Sequence, residues 1–394
     1  MTHPILEHWP EISPHPIPSV IRPENEADLQ RFLRSHSRPC VIAGNGSKWW
    51  LGNPLHPVET CIDMRGFHRV LEYSPGDLTV TAQAGISLGA LQQDLLRQNQ
   101  TLPVDPPLAD QATLGGMVAI GTSGPLQQLF GSLRDKVLGM KVVHADGTIT
   151  KAGGKVVKNV AGYDLCKLYT GSLGTLAIIV EVTLRVFPYP EETHSFAIDA
   201  PDGHMAREIF VALRNLPVAP AGVVYIERSG RPNRLIIRVC GSPQSIHDQL
   251  SHLATRFPGG EASQADLLIS EFDSFYRNTL PFWLRADSLL SSITQVTQHI
   301  QQEKEPEWLV LDFSSRRCHF ALSSTSVEKL QRIRNNLRGM NAVLVVEKAP
   351  LALKEQMDIW GSSREDLFLA TKLRRALDPS GRLNPGRYVS AIYN

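Results

Sequence analysis

The sequence has almost no net charge. Its 394 residues carry 40 Lys and Arg against 39 Asp and Glu, or +1 with histidine neutral. No basic excess is left over to neutralise a phosphate backbone, so nucleic-acid binding is not expected. Cysteine is scarce. Cys40, Cys61, Cys166, Cys240 and Cys318 are odd in number, widely spaced and free of any C-x-x-C pair. That argues against a disulfide framework and leaves no ligand set for zinc or an iron–sulfur cluster; a reducing cytosol fits this usage. The thirteen histidines form neither H-x-H nor H-E-x-x-H, so no metal site is expected. No apolar run reaches the roughly 18 residues of a membrane span, and the longest stretch, 175–187, is broken by Glu181 and Arg185. Residues 1–20 lack the basic and apolar regions of a signal peptide. Residues 1–16, their first part, are read as a flexible arm with His3, His8 and His15 solvated. What is present, 42% hydrophobic and 20% charged residues, suffices for a sizeable core.

Up to residue 190 short strands alternate with short helices. Asn25 is placed to cap a helix reaching Arg34, and Ser87 to cap one carrying Leu88, Leu91 and Leu95. Cys40–Ala43 reads as a buried strand. Ser74-Pro-Gly-Asp77 and Ala145-Asp-Gly147 read as hairpin turns. Pro188-Tyr-Pro190 marks a boundary, after which glycine thins. Strands and helices then recur in an order that predicts an antiparallel sheet with helices on one face. The expected division is an arm (1–16), a first domain (17–190), an α+β cap (191–350) and a C-terminal segment (351–394) that returns to the first domain.

Three glycine clusters carry the chemistry. The first, Ala43-Gly44-Asn45-Gly46-Ser47-Lys48, follows the buried strand. Successive N–H groups in such a turn form a concave anion site, although from this segment alone an ordinary turn is the favoured reading. It is neither the Rossmann fingerprint nor Walker A. The second runs from Asp105 to Gly124 and contains Pro106, Pro107, Thr113, Gly115, Gly116, Gly121, Thr122 and Ser123. Thr113 is placed to cap a short helix whose N-terminus favours negative charge. The third runs from Gly153 to Ile179. Backbone around Gly174 could meet a flat polar edge, or simply turn from helix to strand. Lys155 and Lys158 read either as cations for a reduced cofactor or substrate carboxylate or as a solvated face. Cys318-His319 reads as packing rather than as a nucleophile couple. Trp49, Trp50, Phe282 and Trp283 read as partner anchors or as residues buried in the cap.

In order along the chain come a G-x-G-S loop, P-P-x-A-D-x-x-T-x-G-G, R-D at Arg134-Asp135, K-N-x-x-G-Y-D-L and G-S-x-G-T-L. The C-terminal Leu377-Asp-Pro-Ser-Gly-Arg-Leu-Asn-Pro-Gly-Arg387 follows. This series resembles the FAD-binding domain of the vanillyl-alcohol oxidase superfamily, the p-cresol methylhydroxylase type. Within that superfamily it is most similar to the E-subunit family of bacterial glycolate oxidases. The resemblance implies a two-subdomain FAD-binding domain followed by the α+β cap. Ile42, Ala43, Gly44, Asn45, Gly46, Ser47 and Lys48 would hold the FAD pyrophosphate. Pro107 and Thr113, with Gly115 and Gly116, would line the cofactor's middle. Ile120, Gly121, Thr122 and Ser123 would follow the ribityl chain and ring. Leu173, Gly174, Thr175, Ile178 and Ile179 would offer backbone contacts. Arg134, Asp135 and Asn384 match further family positions.

Two departures qualify the resemblance. Many relatives tether flavin through a histidine in the first loop; here the stretch reads Lys48-Trp49-Trp50, which implies non-covalent FAD. The G-D-G-N-x-H motif of larger hydroxy-acid relatives is missing, so no catalytic residue is assigned. The implied activity is glycolate or D-2-hydroxy acid oxidation within a complex containing a D-type flavin subunit and an F-type iron–sulfur subunit. The complex would be cytoplasmic, or peripheral to a membrane through those partners. The other reading is a non-catalytic electron-relay or scaffold subunit that binds FAD but no substrate.

Overall fold

The computed structural model describes residues 4–16, 18–154, 163–303, 306–361 and 364–388. Lys155, Lys158 and Asn159 lie outside them. Among the described residues no helix is long and apolar enough to cross a membrane.

The N-terminal unit holds two sheets. Strands β1 (Ser19–Ile21), β2 (Cys40–Ala43) and β3 (Thr60–Asp63) form a parallel sheet in the order β1-β3-β2. Helix α1 (Glu26–Ser35) connects β1 to β2. Asn25 caps it by accepting the Asp28 N–H at 3.0 Å, and Leu29 and Leu33 are buried. The next strands are β4 (Val70–Ser74), β5 (Thr79–Gln83), β6 (Gln100–Thr101), β7 (Val137–Val143), β8 (Ile149–Gly153), β9 (Ile178–Arg185) and β10 (Phe187–Pro188). Five of them make an antiparallel sheet in the order β4-β5-β9-β7-β8, while β6 and β10 pair separately. Both expected hairpins form, around residues 75–77 and 144–148. Helices α2 (Leu88–Leu96) and α3 (Leu114–Ile120) begin at the expected caps, Ser87 and Thr113.

The arm expected at the start is instead packed. Ile5, Leu6, Trp9 and Ile12 are each at most 2% exposed and join Val41, Trp49 and Cys61 in one apolar cluster. A spacing of three to four residues puts these four on one side of two short 3₁₀ turns, which is enough to dock them. The prolines and histidines around them hide that pattern.

The second unit is an antiparallel sheet of eight strands: β11 (Glu192–Asp199), β12 (Gly222–Arg228), β13 (Arg234–Gly241), β14 (Glu261–Ser263), β15 (Phe282–Asp287), β16 (Trp308–Asp312), β17 (Arg317–Leu322) and β18 (Val343–Lys348). Their order is β14-β11-β13-β12-β16-β17-β15-β18. Helices α4 (Gln127–Phe130), α5 (Leu133–Lys136) and α6 (Leu165–Tyr169) precede this sheet in the chain, α7 (Gly203–Ala212) and α8 (Pro243–Arg256) pack on it, and its two faces are distinguished by α9 (Leu267–Phe275) and α10 (Ile293–Glu303). The alternation along β17 shows it. Cys318 meets Thr297 of α10, and the next residue, His319, meets Tyr276 at the end of α9. Helices were expected on one face only, but α9 lies on the other, toward the N-terminal unit. Strand β15 was not foreseen. Phe282-Trp-Leu-Arg shows no alternation, because both faces of this central strand are buried.

The chain then returns. Asn384 N–H donates to the Cys40 carbonyl at 3.0 Å, and Cys40 N–H donates to that of Arg382 at 2.9 Å, extending the parallel sheet by one short edge.

Candidate functional site

A cleft of about 920 Å³, open mouth included, lies between the two sheets of the N-terminal unit. The end of β2 and the loop after it form one wall. Helix α3 and the turn before β9 form the other, and Asn384 and Arg387 close one end. Of the expected residues, the structure brings Ile42 through Lys48, Thr113, Gly115, Gly116, Ile120, Leu173, Gly174, Ile178, Ile179 and Asn384 to this cleft.

The loop after β2 is built to leave amides free. Among the described residues none of the main-chain N–H groups of Gly44, Asn45, Gly46, Ser47 and Lys48 has a protein acceptor within hydrogen-bonding reach. Five successive free donors suit an oxyanion. The glycines are required by close approach. A Cβ at Gly44 would stand 2.1 Å from Thr113 Oγ1, and one at Gly46, whose φ is +72°, would stand 2.3 Å from Trp49 Nε1. The N-terminus of α3 differs from expectation. Its first amides are already used: Leu114 donates to Ile86, Gly115 to Ala84 and Gly116 to the Thr113 hydroxyl. The anion-binding potential of this cleft therefore sits in the loop rather than at the helix end.

Asn384 laces the walls together. Its Oδ1 accepts the Ile42 N–H at 2.8 Å, and its Nδ2 donates to the Leu173 carbonyl at 2.6 Å. The turn before β9 docks on the far end of α3, with Gly171 N–H on the Val118 carbonyl and Leu173 N–H on that of Ala119. Gly174, at φ +67°, has no room for a Cβ, which would stand 2.7 Å from Asn384 Nδ2.

Seven expected residues stand away from the cleft lining. Pro107 is buried in the extended segment before α3. Gly121, at φ +73°, ends α3 and packs on Gly171. Ser123 Oγ accepts the Leu133 N–H at 2.7 Å, Thr175 Oγ1 donates to Ser172 at 2.7 Å, and Asp135 completes a capping box with Ser132. Arg134 is exposed, while Thr122 keeps a buried hydroxyl without a partner. The cleft also recruits residues the sequence reading passed over: Trp49, Leu51, Met64, Ala84, Met117, Ala119, Ala177 and Arg387. Arg387 ends the C-terminal motif, which was its signal. Met64 and Ala84 had none, because they arrive at the ends of β3 and β5 through folding alone.

Charge in the lining is of one sign. Among the described residues it contains Lys48 and Arg387 and no Asp, Glu or His. Arg387 is 6% exposed and donates to the carbonyls of Trp49, Leu51 and Asn53, without a carboxylate partner among the described residues. Burial opposes its charge, yet a guanidinium keeps its proton. Two buried cations with no anion among the lining residues call for an anionic occupant.

The adjacent tryptophans go opposite ways. Trp49 donates to the Ile5 carbonyl at 2.8 Å and packs edge-on to Trp9. Trp50 enters the second unit, stacked on Tyr276 at 5.7 Å and edge-on to Trp283 at 5.3 Å. Tyr276 belongs to a buried polar set. His319 lies 2.8 Å from its hydroxyl, which donates to Glu347 at 3.3 Å, and Arg285 bonds Glu347 at 2.9 Å. Burial and the Glu347 charge hold the Tyr276 pKa well above the ordinary phenol value.

Residues 17–153 match the family model described as FAD binding domain. This stretch is an FAD-binding domain. FAD is thus the cofactor, and the cleft suits it: five free amides for a diphosphate, glycines where backbone must come close, and an apolar floor. Glycolate oxidase subunit GlcE of Escherichia coli is 36% identical over 214 residues, covering 54% of this chain and 59% of that one. D-lactate dehydrogenase of Archaeoglobus fulgidus is 32% identical over 206 residues, covering 51% and 46%. Glycolate oxidase subunit GlcD of Bacillus subtilis is 33% identical over 180 residues, covering 44% and 37%. The chain thus spans from about a third to three-fifths of the length of these relatives. A solved alkyldihydroxyacetonephosphate synthase superposes with a TM-score of 0.68 at 17% identity, covering 93% of this chain and 75% of that one, and so shares the fold.

Proposed function

We propose that this chain is the FAD-binding subunit of a complex that oxidises glycolate or another D-2-hydroxy acid to the 2-oxo acid. The observation that carries the reading is the cleft itself, which among the described residues has five free amides, two cations and no carboxylate in its lining, in a chain related to GlcE over half its length. When bound, the flavin supplies the two-electron chemistry. The chain's own residues do the positioning. The amides of Gly44–Lys48 bind the diphosphate. Gly174 and Ala177 would offer backbone to the flavin, and Ile42, Met64, Met117 and Ile179 would exclude water. Among the described residues the lining has no His, Cys or Tyr to form a bond to the flavin, which supports non-covalent FAD.

The missing base supports division of labour. Among the described residues neither Asp, Glu nor His lines the cleft, which supports a proton acceptor brought by a partner. A D-type flavin subunit and an F-type iron–sulfur subunit are the proposed partners, in a cytoplasmic assembly whose membrane attachment, if it has one, runs through them. The same observation favours the second reading, a relay subunit that never meets substrate. Acid precipitation of the purified chain should release a yellow supernatant; colour left in the pellet refutes non-covalent binding. Glycolate added anaerobically should bleach the flavin once the partner subunits are present. A flavin that stays oxidised in the whole complex would leave only the relay reading.

A further inference from the structure

The two cations of the cleft are not equivalent. Arg387 is occupied by three backbone carbonyls. Lys48 is 7% exposed, and among the described residues nothing lies within hydrogen-bond or ion-pair reach of its ammonium. A largely buried lysine whose ammonium has no protein partner and lines the cleft offers three donor positions to a ligand.

Its surroundings indicate which ligand. The carboxylates whose charges act on Lys48 are Asp110, in the turn before α3, and Asp273, on α9 of the cap. Both are already held by Arg277, at 2.8 Å and 2.5 Å. Lys48 therefore sits where the FAD-binding domain meets the cap. Burial pulls its pKa down to about 8 while the two carboxylates hold it up, so it remains largely charged at neutral pH. The diphosphate of FAD has its own site in the amides of Gly44–Lys48, which need no side chain. The ammonium is left for a second anion, one entering from the cap side.

We infer that Lys48 binds the carboxylate of the 2-hydroxy acid substrate at the junction of cleft and cap. This rests on the reading of the chain as a hydroxy-acid flavoprotein and adds where its substrate is held. The probe is oxalate, a two-carbon dianion with no hydrogen to lose, titrated into the full chain purified with its FAD. The visible flavin band of the wild type should shift saturably. Lys48→Met, which fills the same space without charge, should keep its FAD and lose about ten- to a hundredfold in oxalate affinity, as expected for a charge-assisted hydrogen bond. Lys48→Arg should recover most of that affinity. Loss of FAD from Lys48→Met would assign the ammonium to the cofactor and overturn the inference. Unchanged oxalate affinity in that variant, or a wild-type chain that holds FAD and ignores oxalate, would overturn it too. A wild-type chain that holds no FAD would fail at the earlier reading, which keeps the two failures apart.

Discussion

Asn384 offers a sharp test of how the cleft is held. It lies 342 residues from Ile42 in sequence, yet it is the side chain that joins the end of β2 to the turn before β9. Its own backbone is left-handed, at φ +43°, a conformation asparagine tolerates better than alanine. Asn384→Ala would strand two largely buried main-chain groups, the Ile42 N–H and the Leu173 carbonyl. Each unsatisfied group costs about 1–3 kcal/mol, and the left-handed alanine adds about 1 kcal/mol, so the expected loss is about 3–7 kcal/mol. Asn384→Gly relieves the backbone but still loses both bonds, so it should recover only the last of these terms. Asn384→Asp keeps the acceptor for Ile42 but turns an oxygen toward the Leu173 carbonyl, and should be no better than alanine. The assay is urea unfolding, followed by flavin fluorescence in the loaded chain and by circular dichroism in the stripped one. The loss should appear in both, because both bonds are protein to protein, and FAD retention should fall with it. Asn384→Ala within about 0.5 kcal/mol of wild type would refute the reasoning, since that is the scatter of ordinary surface changes. Full recovery by glycine would shift the cause from the hydrogen bonds to the backbone.

Two glycines of the cleft should fail differently. Gly44→Ala drives a Cβ to 2.1 Å from Thr113 Oγ1 and should cost about 1–3 kcal/mol in stability as well as FAD. Gly116→Val meets only the Thr113 hydroxyl, at 3.0 Å, so it should fold normally but purify colourless; full flavin occupancy would remove Gly116 from the site. Gly89 lies inside α2 with open space around it, so Gly89→Ala should stabilise by about 0.5–1 kcal/mol with FAD binding unchanged, as read by thermal unfolding. Lys354 is buried, donates to the Trp50 carbonyl and has its pKa pulled from 10.5 to about 7 by desolvation. The folded state prefers the neutral amine, so the penalty is absent above pH 10.5, grows as pH falls, and is complete below about pH 7. The stability of Lys354→Met relative to wild type should therefore rise by at most about 5 kcal/mol between about pH 10 and about pH 7, and a flat difference across that range would contradict the assignment.

Much of this protein is local and therefore legible. Asn25, Ser87 and Thr113 announce their helices because a cap is a contact between residues three apart. The hairpins at 75–77 and 144–148 are fixed by turn residues, and Gly44, Gly46 and Gly174 by backbone that a side chain would obstruct. The order of the three glycine clusters was enough to point to FAD. What the sequence left open depends on which distant groups meet. Ser123 and Thr175 look like ligand contacts in a string of glycines and hydroxyls, but neighbouring backbone occupies both. Strand β15 is invisible locally because a strand buried on both faces loses its alternation, and its partners β17 and β18 lie some 30 to 60 residues on. Trp49 and Trp50 are adjacent in the chain and end in different cores, a split set by the two surfaces that receive them. Lys48 shows the difference most clearly. Its presence in the loop is a fact of sequence. Its isolation is not, because a lysine is buried and unpartnered only once Arg277 has taken the two carboxylates that would otherwise neutralise it.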